Sequence, residues 1–367
     1  MDALPKVVVK GVIGRVERDH RSRVPFDEHV DATATALDGR SMPTECVPTA
    51  VIAGAFCAKR CSSEALAKSL AFFPPDPPSY DIERANGETR ARYNAARGTL
   101  PEAHARAFQR VLDACEATTR ETTRGNEIVI LACEAPWTVD AASATGERTG
   151  GATIVFSHGN AVDAGEVAPF ARKLAQQLEC RVVTYDYSGY GRSRGEASVA
   201  DTHADIDAAV RHVRERYGVE RREIILLGQS IGSGPTCAHA SKNPGFGAVV
   251  LVSPLLSALS VVSSPSAWCT PAKVFKSLDV YKNYQHVKSA QCPFLLVHGE
   301  LDAVVHVSHG EALWAAIKKT ARPEDLVLEP YWIQGAGHDD TYDRNPAEFI
   351  RRLREVCALV RERCRQV

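Results

Sequence analysis

The run Gly228-Gln-Ser-Ile-Gly232 constrains this chain more than any other. It follows the apolar stretch Glu223-Ile-Ile-Leu-Leu227, which reads as a strand. It precedes Ser233-Gly-Pro-Thr-Cys-Ala-His-Ala-Ser241, whose small residues suit a closely packed helix start. Strand, sharp turn and helix is the setting in which G-x-S-x-G works as a nucleophile elbow. A serine in a strained turn needs neighbours two positions away whose side chains cannot collide with strand or helix. Outside that setting the pentapeptide means little; inside it, Ser230 is the candidate nucleophile.

What surrounds the elbow sets the fold class. From Ala152 onward apolar runs recur: Ile154-Val-Phe156, Arg181-Val-Val-Thr-Tyr185, Ile224-Ile-Leu-Leu227, Ala248-Val-Val-Leu-Val252, Phe294-Leu-Leu-Val297 and Leu326-Val-Leu328. Helical patterns lie between them, as at Ile206, Val210, Val213 and Tyr217, with Arg and Asp on the opposite side. Nearly continuous apolar strands separated by helices imply an α/β protein. Its central sheet is mostly parallel, with helices on both faces. Residues 126–367 are assigned to this domain, with a short lid between Val252 and Phe294. Residues 81–125 are polar and helical in composition and read as an insertion. Residues 1–80 form an N-terminal extension, partly disordered over about its first 50 residues because charges and short apolar pieces alternate without a sustained period. It ends in the stop Pro74-Pro-Asp-Pro-Pro78.

A serine hydroxyl is a poor nucleophile until a base takes its proton and a carboxylate fixes that base. In α/β-hydrolases the order along the chain is Ser, acid, His. Val297-His-Gly-Glu-Leu-Asp302 places Asp302 just past a buried strand, with Glu300 as the fallback acid. Trp332-Ile-Gln-Gly-Ala-Gly-His338 ends a strand in small residues that let His338 reach back toward the serine. Taken singly, each of these is an ordinary turn residue; three matches in the required order, each after a strand, make a triad. Acyl transfer also needs donors aimed at the developing oxyanion. One is the backbone N–H of Ile231; another comes from the loop Phe156-Ser-His-Gly-Asn160, from Asn160 or Ala161. His158 in that loop reads as a loop residue rather than the base. The apolar lid segment either plugs the core or lines a groove for an acyl chain.

Composition narrows the function further. A net charge of -1, with 44% hydrophobic and 24% charged residues, gives no reason to expect a nucleic-acid partner. Eleven cysteines without a C-x-x-C pair do not read as a disulfide framework, and Cys180, Cys237 and Cys292 sit in apolar stretches as small core residues. His298, His306 and His309 near Glu300 and Asp302 could suggest a metal, but a hydrolase loop accounts for them, so no metal and no organic cofactor is expected. The longest apolar run near the start, Ala50 to Ala58, is well short of the roughly 20 residues that span a bilayer. The N-terminus carries neither a secretory signal nor a myristoylation glycine, which places the protein on the cytosolic side. The Arg-rich final helix reads as a solvated face, with anionic lipid as the lesser alternative.

These motifs resemble the α/β-hydrolase domain-containing 17 family of protein depalmitoylases. The resemblance rests on Phe156-Ser-His-Gly-Asn-Ala-Val-Asp163, Tyr185-Asp-Tyr-Ser-Gly-Tyr-Gly191, Ala204-Asp-Ile-Asp-Ala-Ala209, Gly228 to Gly232, Ser308-His-Gly310 and Gln334-Gly-Ala-Gly-His338. It covers most of residues 126–357 and reaches upstream to Ala67 through Tyr80. It implies hydrolysis of palmitoyl thioesters on S-palmitoylated proteins, through an acyl-Ser230 intermediate. It also implies an N-terminal cysteine cluster that is itself acylated and tethers the enzyme peripherally to a plasma or endosomal membrane. Here that cluster reduces to Cys57 and Cys61, beside Lys59 and Arg60. One acyl chain holds a membrane only marginally, so lasting attachment needs two, or one with basic residues. The triad alone does not separate a thioesterase from a lipid or small-ester hydrolase or a serine peptidase of the prolyl-oligopeptidase type, whereas its three filled positions argue against the other alternative, a catalytically silent scaffold.

Overall fold

Strands that are apolar at every position must be covered on both faces, and the chain supplies that cover. The computed structural model describes residues 71–98, 100–134, 152–262, 270–320, 326 and 328–366. Cys57, Cys61 and the first fifty residues therefore lie outside the described residues. A hairpin of β1 (Tyr80–Ala85) and β2 (Glu88–Tyr93) comes first and forms its own small sheet. The main sheet has eight strands: β3 (Cys115–Glu121), β4 (Glu127–Cys133), β5 (Thr153–Ser157), β6 (Arg181–Tyr185), β7 (Ile224–Gln229), β8 (Ala248–Val252), β9 (Phe294–Gly299) and β10 (Tyr331–Ile333). Their spatial order is β10-β9-β8-β7-β5-β6-β4-β3. Pairing is parallel from β10 to β6 and antiparallel at β4 and β3. This is the α/β-hydrolase fold.

The helices are α1 (Glu102–Asp113), α2 (Ala164–Leu178), α3 (Val199–Tyr217), α4 (Ser233–Lys242), the single turn α5 (Pro271–Val274), α6 (Asn283–Ser289), α7 (Ser308–Lys318) and α8 (Pro346–Arg365). Side chains alternate along each strand, so the core divides in two. In β7, Ile224 and Leu226 face α3, α4, α6 and α7, while Ile225 and Leu227 face α2 and α8. α3 forms where the 3.6-residue apolar period predicts it. Its Ser198 side chain accepts from the N–H of Asp201 at the start, and Gly218 closes it in the left-handed conformation.

Two sequence expectations need correction. Residues 81–125 are helical only in α1 and a single 3-10 turn at Ala95–Arg97; most of the rest is β1, β2 and β3 with their turns. Asn86 and Gly87, at φ +55° and +79°, turn a hairpin whose charges pair across strands, as Arg92 does with Glu83. β3 pairs with β4 along its whole length, so the segment supplies the sheet's edge instead of interrupting it. Edge strands tolerate exposed charge, which is why this one reads as polar. The run Leu326-Val-Leu328 had suggested a strand, but the last strand is Tyr331–Ile333.

Four arginines of α8 are engaged by hydrogen bonds. Arg351 and Arg352 bond Glu348, while Arg354 and Arg361 donate to the carbonyls of Gln177, Leu178 and Glu179. Those carbonyls close the C-terminal end of α2, where helix carbonyls lack internal partners.

Candidate active site

In an open α/β sheet the ligand crevice lies beyond the carboxyl ends of the strands, where the strand order reverses. Here the chain leaves β5 for β6 on one side and returns to β7 on the other. Ser157 and Gly228 are register partners at that point, so the loop after β5 and the turn after β7 emerge side by side.

Ser230 sits in that turn at φ +52°, a left-handed conformation that a non-glycine residue occupies at a cost. The flanking glycines make it feasible. A Cβ on Gly232 would lie 2.1 Å from the carbonyl oxygen of Ser157, and one on Gly228 would lie 2.7 Å from that of Gly232. The strain thus follows from β7, the turn and α4 packing onto the end of β5.

The acid and base come from the next strands across. β9 and β10 are parallel neighbours with Gly299 opposite Ile333, and the loops beyond them stay joined: Glu300 N–H donates to Ile333 O at 3.1 Å and Leu301 N–H to Ala336 O at 2.8 Å. Gly299 permits this approach, because its Cβ would lie 2.4 Å from Gly337 O. His338 Nδ1 lies 2.7 Å from Asp302 Oδ2, and its Nε2 lies 3.0 Å from Ser230 Oγ. Glu300, the fallback acid, is exposed, whereas the Asp302 side chain is fully buried.

Asp302 is held as a carboxylate. Burial pushes its pKa up, but hydrogen bonds from His298 and His338, attraction to His338 and the N–H of Val305 outweigh it and hold the group well below the usual carboxylate range. Its Oδ1 accepts from the N–H groups of Val304 and Val305 at 2.9 and 2.8 Å. An ionised carboxylate only accepts, so His338 Nδ1 carries the proton and the Nε2 lone pair faces the serine hydroxyl. That is the tautomer a general base requires.

The histidines flagged as a possible metal cluster have other tasks. His298 is fully buried; its Nε2–H donates to Val305 O at 2.7 Å and lies 3.3 Å from Asp302 Oδ2. His309 Nδ1 accepts the Leu256 N–H at 3.1 Å, tying the lid segment to α7. His158 is wholly buried, its pKa pushed down to about 4 by burial, and its Nδ1 bonds the Gly159 carbonyl at 2.8 Å. It is a loop residue and does not face the serine. Of the lid's apolar side chains, Leu255 and Leu259 are buried, whereas Val274 is exposed.

The N–H of Ile231 lies in the first turn after the strand, where helical N–H groups have no internal acceptor. The N–H of Asn160 likewise has no acceptor among the described residues. A Cβ on Gly159 would stand 3.9 Å from the Ser230 Cβ, in van der Waals contact, so this loop lies directly beside the nucleophile.

Several partners of the site escaped sequence reasoning: Phe73, Ser79, Tyr80, Asp186 and Tyr190. Phe73, Ser79 and Tyr190 bond Asn160 or Asp163 across 30 to 87 residues of chain, Asp186 accepts the Ala164 N–H 22 residues away, and Tyr80 bonds Asp186. Spacing carries no sign of such contacts. The hairpin signal Asn86-Gly87 was available and would have placed Tyr80 at the start of a strand.

Comparison with known proteins places the chain among hydrolases. Residues 150–283 match the family model described as serine aminopeptidase, S33 (Hydrolase_4). The chain is similar to "Alpha/beta hydrolase domain-containing protein 17B" of Xenopus laevis, 34% identical over 83% of this chain and 94% of the relative. It is 32% identical to the human protein of that name over 82% and 93%. A puromycin-hydrolysing peptidase of Mycobacterium tuberculosis shares the fold at 19% identity and TM-score 0.51, covering 77% of this chain and 44% of that one.

Proposed function

The chain belongs to the alpha/beta hydrolase domain-containing protein 17 family and is a hydrolase of the α/β serine type; from that premise we propose that it cleaves palmitate from the cysteines of S-palmitoylated proteins. The observation that carries this reading is the hydrogen-bonded chain from Ser230 through His338 to Asp302. Ser230 Oγ attacks the thioester carbonyl carbon as its proton passes to His338 Nε2. The N–H groups of Ile231 and Asn160 stabilise the oxyanion. The carbon–sulfur bond breaks, and the thiolate takes the proton from His338 and leaves as cysteine thiol. Water then attacks the acyl-Ser230 ester with His338 as base, releasing palmitate and restoring the hydroxyl. No step calls for a metal or organic cofactor.

An apolar substrate suits the rim of the site. Leu301 is 68% and Val304 42% exposed, and they flank Asp302 in the acid loop. Membrane attachment through acylated Cys57 and Cys61 completes the proposal. Among the described residues no helix is long and apolar enough to cross a membrane, so the attachment would be peripheral. Mass spectrometry of membrane-fraction protein with both thiols unmodified would remove that part.

The decisive assay sets palmitoyl-peptide thioester turnover against an amide and a triglyceride, in the parent and in Ser230→Ala. The proposal expects thioester preference and its loss in the variant. A preference for the peptide amide would favour an aminopeptidase-like activity, as the matched family model's description suggests for its own members.

A further inference from the structure

The loop after β5 is held by a segment far upstream of the sheet. Residues 71–80 lie along it and are fastened at both ends. At one end, Asn160 Nδ2 donates to Ala71 O at 2.8 Å, and Asn160 Oδ1 accepts the Phe73 N–H at 3.0 Å and the Tyr190 hydroxyl at 2.6 Å. The Tyr190 oxygen in turn accepts the same Phe73 N–H at 3.0 Å. At the other end Asp163, the N-cap of α2, accepts the Ser79 N–H at 2.6 Å and the Ser79 hydroxyl, while the Tyr80 hydroxyl bonds Asp186.

The fit is close. A Cβ on Gly165 would lie 2.5 Å from the Tyr80 ring, and Phe72 is buried against Tyr281. Four of the five residues 74–78 are proline, so the segment has few conformations to lose on docking. The Asn160 side chain is thus held by residues 71–73, by Tyr190 and by the Ala161 N–H at 3.1 Å, while its own backbone N–H has no acceptor among the described residues.

We infer that segment 71–80 is the positioning element of the oxyanion loop, acting through the Asn160 side chain, with Tyr190 as the positioning residue that joins segment and loop. The inference rests on the role given above to the Asn160 N–H. A donor must be fixed before charge develops if its full strength is to be felt, so loosening this loop should lower kcat and leave KM almost untouched.

The test uses the full-length chain with Asn160→Ala, Tyr190→Phe and the double variant. Each is read by the rate of Ser230 labelling with a fluorophosphonate and by kcat and KM for p-nitrophenyl butyrate. Expected losses are about 10- to 100-fold in labelling rate and kcat for Asn160→Ala. For Tyr190→Phe, which keeps the ring and loses only the hydroxyl, they are about 3- to 10-fold. KM should stay within about threefold in both. Because Tyr190 acts through Asn160, the double variant should be no slower than Asn160→Ala alone. Amide hydrogen exchange over 71–80 and 158–163 should accelerate together in Tyr190→Phe, which carries the test if Asn160→Ala fails to fold. Unchanged labelling in Tyr190→Phe, or losses that multiply in the double variant, would overturn the inference. A parent that is labelled at Ser230 yet leaves palmitoyl thioesters intact would instead sink the proposed substrate alone.

Discussion

The two sides of the site are built by different means. The elbow at Ser230 is shaped within one strand–turn–helix unit, by backbone strain and by two glycines that let β7 and α4 close against β5. The loop carrying Asn160 has a strained residue of its own, Ala161 at φ +58°, whose N–H donates to Asn160 Oδ1 at 3.1 Å, but it is also tied from outside. Its place comes from side-chain hydrogen bonds to residues 71–80, more than eighty positions upstream. A local constraint leaves a trace in sequence spacing, and a long-range one does not. The elbow also tolerates almost no change of backbone, whereas the loop can loosen by degrees.

The largest expected effect strikes the elbow. Gly232→Ala drives a Cβ into the Ser157 carbonyl, backbone against backbone, with no flexible side chain to give way. It should abolish turnover and cost roughly 1–3 kcal/mol of stability or more, measured by esterase assay and urea unfolding. A variant with parental activity would show that the elbow is not set locally. Next comes the base. Asp302→Asn removes the carboxylate that fixes the His338 tautomer and should lower kcat about 10⁴-fold with the fold intact; near-parental kcat would transfer the acid's role elsewhere, with Glu300 the residue to examine.

The loop side should respond more gently. Tyr80→Phe removes the hydroxyl that meets Asp186 and should cost about 1–3 kcal/mol. Hydrogen exchange should rise over 158–163 while the amides of 228–234 stay as protected as in the parent. Equal loosening of both would erase the contrast between the two sides.

A further test is one of pH. Burial, with Asp163 nearby, pushes the Asp186 carboxyl up to about 8. In the folded protein it therefore keeps a proton that the unfolded chain releases near its ordinary value of about 3.9. Its contribution to stability is full below that value and fades as pH rises through about 8. Asp186→Asn lacks this term, so its stability relative to the parent should improve between pH 5 and pH 8, as read from urea midpoints. A difference independent of pH would mean that Asp186 is already ionised in the fold.

The same contrast explains what could be read beforehand. Ser230, Asp302 and His338 each end an apolar strand, so strand pattern and chain order named them together, and they meet within hydrogen-bonding distance. β8 is apolar throughout and β7 over Ile224 to Leu227 because both faces are buried, which makes parallel strands conspicuous. β1 to β3 are charged on their exposed sides and lie at an edge, so their pattern resembles that of a polar helix. The roles of Tyr80, Asp163, Asp186 and Tyr190 depend on which distant residues they meet. No local period encodes that.

Covalent capture at one side chain is the most direct examination. The full-length protein is mixed with a palmitoyl-cysteinyl peptide, quenched in acid within the first turnover, digested and analysed by mass spectrometry. Palmitate should appear as an ester on the peptide containing Ser230, and neither adduct nor thioester cleavage should survive in Ser230→Ala. Palmitate released at the parental rate by Ser230→Ala, or an acyl group trapped on another residue, would contradict Ser230 as the nucleophile.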